Sequence, residues 1–176
     1  VIDTTLNQPA LLRQGEIDFN QLGAKSIIVN SPEETRHFAQ QLLQKNLPIL
    51  KNKAVLFALQ GKLGAGKTQF AKGLGQGLKI NQPITSPTFI IVKEYPYQIR
   101  KTKGIFYHID AWRIAETNQT LKFIKDYLQP GNIIALEWIQ KGKQTLEELA
   151  QNSKVKIIWV EILYLGNNKR QVRFKL

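Results

Sequence analysis

Residues Ala54 to Thr68 read A-V-L-F-A-L-Q-G-K-L-G-A-G-K-T. The first seven are apolar until Gln60, the pattern of a strand buried on both faces of a sheet. The last eight match G-x-x-x-x-G-K-[ST] at Gly61, Gly66, Lys67 and Thr68. Glycines are needed there because the backbone must curl around a phosphate through dihedrals that a Cβ obstructs, and the N-terminus of a following helix adds partial positive charge. In such a loop the lysine bridges the β- and γ-phosphates, and the hydroxyl beside it holds Mg²⁺. An amphipathic pattern follows, with Phe70, Ala71, Leu74 and Leu78 on its inner face. Strand, loop and helix in this order separate a nucleotide-binding loop from a chance Gly-rich turn. The residues expected around the nucleotide are Gly61, Gly64, Ala65, Gly66, Lys67, Thr68 and Gln69.

A phosphate loop needs a carboxylate for the metal or the attacking water. Asp110 ends I-F-Y-H-I-D and Glu137 ends I-I-A-L-E, so both should emerge at the carboxyl edge of a sheet, where such folds bind ligands. His108 shares a strand face with Asp110 and reads as a structural histidine. T-S-P-T (Thr85 to Thr88) sets hydroxyls around a proline-stiffened turn, either a segment that senses the γ-phosphate or a simple lead into a strand.

The surrounding elements suit an α/β domain. S-I-I-V-N (Ser26 to Asn30) is a short strand pattern, and Ser31, Pro32 and Glu34 form a helix start with a capping box. Phe38, Leu42 and Leu43 supply that helix's buried stripe. Gly73, Gly75 and Gly77 weaken the helix after the loop, so it either stops early or packs closely on a neighbour. Phe89 to Tyr95 and Ile105 to Asp110 read as strands joined by a basic loop with Arg100, Lys101 and Lys103, a helix is expected over Asn118 to Leu128, and the C-terminus reads as a β-hairpin. Residues 1–25 have no clear period and read as an irregular extension of a single domain over 26–176. The fold class expected is a three-layer α/β sandwich with a mixed sheet, parallel near the loop and antiparallel toward the C-terminus.

The chain of 176 residues has no cysteine, which excludes disulfides and thiolate chemistry. Its apolar runs are too short to cross a bilayer, and its first residues lack the basic start and apolar core of a secretory signal, so a cytoplasmic location is expected. Net charge is +12, but residues 1–50 hold four Lys/Arg against five Asp/Glu while residues 51–176 hold 21 against eight. The basic surface therefore belongs to the part with the phosphate loop, where it either attracts polyanions or is a solvated face.

G-K-L-G-A-G-K-T, T-S-P-T-F, Y-H-I-D-A-W-R and L-E-W, in this order, resemble the TsaE family, P-loop ATPases of tRNA threonylcarbamoyladenosine biosynthesis. The resemblance spans about residues 26–176. It implies ATP with Mg²⁺ at the site, Glu137 as a metal ligand, Asp110 as necessary for hydrolysis, Thr88 in a switch segment, Trp138 at the site and a contact from Glu33 to the adenosine. It further implies modification of adenosine 37 in tRNAs reading ANN codons, with the TsaD and TsaB transferase subunits as partners and tRNA reached through their complex. Trp112 stands where the family usually has Tyr. A small-molecule or nucleoside kinase shares the loop but calls for an Arg-rich lid, and Arg100, Arg113, Arg170 and Arg173 are scattered. A GTPase usually carries N-K-x-D, and N-K-R-Q at Asn168 to Gln171 lacks its acid.

Overall fold

The computed structural model describes residues 2–3, 10–11, 19, 23–87, 92–111, 124–137, 146, 149, 151 and 153–176. Residues Ile2–Asp3 (β1) pair antiparallel with Ala10–Leu11 (β2). The main sheet starts with Lys25–Val29 (β3) and continues, after helix Pro32–Asn46 (α1) and a 3₁₀ turn over Leu47–Lys51, with Ala54–Gln60 (β4). Helix Lys67–Gly77 (α2) follows, then strands Val92–Ile99 (β5), Thr102–Asp110 (β6), Ile133–Glu137 (β7), Val155–Gly166 (β8) and Lys169–Lys175 (β9).

Seven strands form one sheet in the order β3-β9-β8-β4-β7-β6-β5. The centre is parallel: β4 lies between β8 and β7, with β6 beyond β7. Both margins are antiparallel, β3 on β9 on one side and β5 on β6 on the other. This is the expected α/β class with a mixed sheet, and antiparallel pairing also occupies the middle of the chain. All seven residues of β4 are buried, and they alternate between two cores. Val55, Phe57 and Leu59 join the core under α1 and α2, and Ala54, Leu56 and Ala58 join a second one with Phe19, Ile124 and Leu146. Phe19, inside the stretch read as an irregular extension, is 1% exposed and faces the guanidinium of Arg173.

Local chemistry accounts for the helices. Ser31 caps α1 by accepting from the Glu34 amide at 3.1 Å, with Pro32 at the first helical position. The other half of the box reaches one residue further than expected, because the Glu34 carboxylate accepts from the Asn30 amide at 2.8 Å. Gly73 and Gly75 do not stop α2, which runs on to Gly77. A Cβ on Gly73 would lie 2.3 Å from Arg36 O and one on Gly77 2.8 Å from a Leu43 methyl, so their lost propensity lets α1 and α2 pack in close contact.

The β5–β6 segment corrects the expected boundaries. β5 runs past Tyr95 through Pro96 to Ile99, which a proline permits because β5 is an edge strand. The turn is only Arg100-Lys101, with Arg100 at φ 54, and Lys103 belongs to β6. Residues 118–123 of the expected helix lie outside the described residues; Ile124 and Lys125 are helical.

Tyr97 ties this hairpin to the turn before β7 by donating its hydroxyl to Gly131 O. Burial pushes the phenol up to about 12, from 10.0. The folded state therefore keeps a proton that the unfolded chain loses above pH 10, and Tyr97's contribution falls away between pH 10 and 12. Tyr97→Phe is expected to cost about 1 kcal/mol at pH 8. Wild type should then lose about 2–3 kcal/mol relative to the variant by pH 12, read as urea midpoints along a pH series.

Candidate nucleotide site

The loop after β4 has Gly61 at φ 151, Gly64 at φ 77 and Gly66 at φ 118. Gly61 also sits against β8, where an added Cβ would lie 2.5 Å from Ile162 O. Gly64 has open space where a side chain would be, and Gly66 is the left-handed residue that opens α2. The loop thus turns its backbone outward at the carboxyl edge of β4, as the glycine spacing requires.

A cleft of about 590 Å³ lies above it. Its walls include the expected residues Gly64, Gly66, Lys67, Thr68, Gln69, Asp110 and Glu137. Gly61 and Ala65 form the back of the loop and do not line the cleft, Ala65 being only 2% exposed. The pairing of β6 with β7 places Asp110 directly opposite Glu137. Both acids are buried, at 4% and 3% exposure, so neither is an ordinary strand-end acid facing water.

Lys67 is 4% exposed. Its ammonium donates to Gly61 O at 2.8 Å and Lys62 O at 3.2 Å, and lies 4.0 Å from Glu137 Oε2. Burial holds its pKa below the usual lysine range, against the opposing pull of Glu137 and Asp110. Thr68 Oγ1 lies 3.4 Å from Glu137 Oε1, so a hydroxyl and a carboxylate share one small region of the cleft wall. Among the described residues there is no cluster of three or more His, Cys, Asp or Glu to cage a metal. Two hard oxygen donors beside a phosphate loop nevertheless fit Mg²⁺, which takes one or two protein oxygens and completes its shell with phosphate and water.

His108 was read as structural, and the fold gives it a place in the site. It is fully buried, with Nε2 2.8 Å from Glu137 Oε1 and Nδ1 3.1 Å from Thr85 O. Both ring nitrogens lie at hydrogen-bond distance from an oxygen partner. The histidine thus bridges the acid of β7 to the first residue of T-S-P-T. Lys93 Nζ also contacts Thr85 Oγ1, and Ser86 lines the cleft.

Arg170, scattered from the other arginines in the sequence, also lines the cleft. It is 7% exposed and donates through Nε to Ala65 O at 2.9 Å, bracing the loop from the β8–β9 hairpin. A residue 105 positions away has no local signal for this contact. Glu33, expected near the adenosine, is exposed and binds Arg36, which also reaches Gln69 Oε1; Pro32 beside it lines the cleft. Thr88 and Trp138 lie outside the described residues, as does Trp112.

Comparison with known proteins bears on the family. The profile of the family described as "Threonylcarbamoyl adenosine biosynthesis protein TsaE" matches residues 29–172. The tRNA threonylcarbamoyladenosine biosynthesis protein TsaE of Aquifex aeolicus is 35% identical over 85% of this chain and 94% of its own length. The protein of the same name from Bacillus subtilis is 30% identical over 82% of this chain and 80% of its own length. The crystal structure of Bacillus subtilis YdiB superposes with a TM-score of 0.52 and 26% identity, covering 86% of this chain and 85% of that one. A profile match running from the end of β3 into β9, on a fold whose phosphate loop and two strand-end acids meet in one cleft, identifies the chain as a member of the TsaE family.

Proposed function

We propose that this protein is a Mg²⁺-dependent ATPase supporting threonylcarbamoyl transfer to adenosine 37 of tRNAs that read ANN codons. In this reading it works in the cytoplasm, binds the TsaD–TsaB transferase and hydrolyses ATP to reset it between turnovers, with tRNA brought by that complex. One observation carries the ATPase reading: Lys67, Thr68, Asp110 and Glu137, contributed by three separate elements, line a single cleft.

Each residue then has a role that its position supports. Loop amides and Lys67 hold the phosphates, Thr68 and Glu137 offer oxygens to Mg²⁺, and Asp110, beside Glu137, is placed to orient water toward the γ-phosphate. The bound metal supplies charge neutralisation on the phosphate oxygens. The deciding experiment is ATP binding by calorimetry, together with phosphate release with and without the transferase pair and tRNA. Expected are Mg²⁺-dependent ATP binding by the chain alone and slow release that the partners accelerate. Absence of ATP binding would end the reading. Release dependent on an added acceptor hydroxyl would favour a kinase.

The segment at Thr85 is the suited point of coupling, since Thr85 O already contacts His108 and through it Glu137. His108→Ala is expected to lower the rate of hydrolysis about tenfold or more while changing ATP affinity less than threefold, because His108 orients Glu137 and does not line the cleft. His108→Gln, which can still donate to Glu137, should recover part of the rate. A loss of stability with no change in the rate per folded molecule would reduce His108 to a core residue. Thr88→Ala should weaken any preference of the transferase for the ATP-loaded form, measured by its affinity with ATP, with ADP and without nucleotide.

A further inference from the structure

The parallel strands give the sheet two ends of opposite character. At the carboxyl end lie the loop, Asp110 and Glu137. At the other end four chain segments meet, residues 46–53, 99–105, 124–132 and 153–156. Their backbones are tied together: Gly131 N donates to Lys53 O at 3.3 Å, Ala54 N to Lys154 O at 2.9 Å, and Ile105 N to Asn132 Oδ1 at 3.1 Å. A Cβ on Gly104 would lie only 2.0 Å from Gly131 O, and one on Gly131 2.8 Å from Lys103 O. Glycine at both positions thus lets the β5–β6 hairpin close against the turn before β7, which draws the starts of β4, β7 and β8 into one wall with the hairpin.

These four segments carry eight Lys or Arg against a single acid, Asp126. Lys51, Arg100, Lys101, Lys103 and Lys154 are exposed and Lys53 half-buried. The segments around the nucleotide cleft, residues 30–36, 60–69, 110–111, 137 and 161–170, carry five basic and five acidic residues. Among the described residues, this end of the sheet therefore carries a net positive charge that the segments around the cleft lack. Seven residues of β4, about 20 Å at 3.3 Å per residue, separate it from the phosphate loop.

We infer that this end of the sheet is an RNA-binding surface that contacts the phosphate backbone of tRNA. Two observations favour RNA over an acidic protein partner. None of the exposed large apolar side chains, Ile28, Leu63, Tyr164, Leu165 and Leu176, falls in the four segments, whereas protein interfaces centre on apolar cores and nucleic-acid interfaces are polar and positive. The family, moreover, belongs to tRNA modification by its own description. Lysines dominate the wall, and among the described residues of the four segments the one aromatic side chain, Tyr127, is half-buried, so the contact is to phosphates and carries no base readout. Its distance from the loop keeps RNA from competing with the nucleotide. The inference rests on family membership and not on ATP hydrolysis, so the two can fail separately.

The test is fluorescence anisotropy of an unmodified tRNA transcript titrated with the full chain at several salt concentrations. Lys101→Glu with Lys103→Glu is compared with a control of equal charge change elsewhere, Lys72→Glu with Lys169→Glu. The first pair should weaken RNA binding tenfold or more and flatten the salt dependence, leaving melting temperature and ATP affinity unchanged. The control pair should weaken it less than threefold. Equal losses in both pairs would mean that only net charge matters and would overturn the inference. Unchanged RNA binding, or a first pair that instead weakens binding of the RNA-free transferase, would overturn it as well.

Discussion

Lys67→Ala is expected to lower ATP affinity about a hundredfold in calorimetry, corresponding to about 2.7 kcal/mol. The size follows from burial. The ammonium is 4% exposed and lies between loop carbonyls and Glu137, so its charge acts on a bound phosphate with little screening by water. A pH dependence should accompany it. Burial keeps the Lys67 pKa below 10.5, so the folded protein releases this proton at lower pH than the unfolded chain does. Between those two values the unfolded chain binds more protons, and stability of the nucleotide-free wild type should rise with pH relative to Lys67→Met. ATP favours the charged lysine, so its affinity should fall over the same range. Wild-type affinity in the alanine variant would remove Lys67 from the phosphate site.

Glu137→Gln is expected to lower the rate of Mg²⁺-dependent hydrolysis a hundredfold or more, the range seen when a single preorganised charge-stabilising group is lost. The substitution keeps the volume at a site that is 3% exposed but removes the negative charge opposite Lys67, His108 and Thr68. Stability should also fall, by about 1–3 kcal/mol, because the buried Lys67 ammonium loses its facing negative charge and the amide NH₂ takes the place of one of the two accepting oxygens. This differs from a surface acid, whose loss would leave stability untouched. The two effects separate cleanly: hydrolysis per folded molecule, at saturating ATP and Mg²⁺, isolates the chemical role, and denaturant midpoints report the structural one. Substantial residual hydrolysis in a stably folded variant would move the metal-binding role away from Glu137.

Much of this site was legible before any fold was known, because its parts carry local signatures. The glycine spacing of Gly61 to Gly66 encodes a backbone path, and it folds as that spacing requires, with positive φ at Gly61, Gly64 and Gly66. Asp110 and Glu137 could be located because each ends an apolar run, and an apolar run in a parallel sheet has a defined end. The helix start at Ser31 and the inner face Phe70, Ala71, Leu74 and Leu78 are equally local patterns.

What the sequence by itself determined is therefore the strand, the glycine-patterned loop and the helix after it, the position of the two acids at strand ends, and the family. Tertiary structure alone decided the strand order, and with it everything that depends on which segments become neighbours. The pairing of β6 with β7 brings Asp110 opposite Glu137, and it also turns His108 from a core residue into the bridge between Glu137 and Thr85. The β8–β9 hairpin returns Arg170 to the loop across 105 residues. Pairing at distant positions is set by burial of whole faces, to which no short stretch of residues holds the key. The same physics gathers the lysines. Spread along the sequence they amount to a net charge, and only the common direction of β4, β6, β7 and β8 collects them at one end, away from the nucleotide cleft.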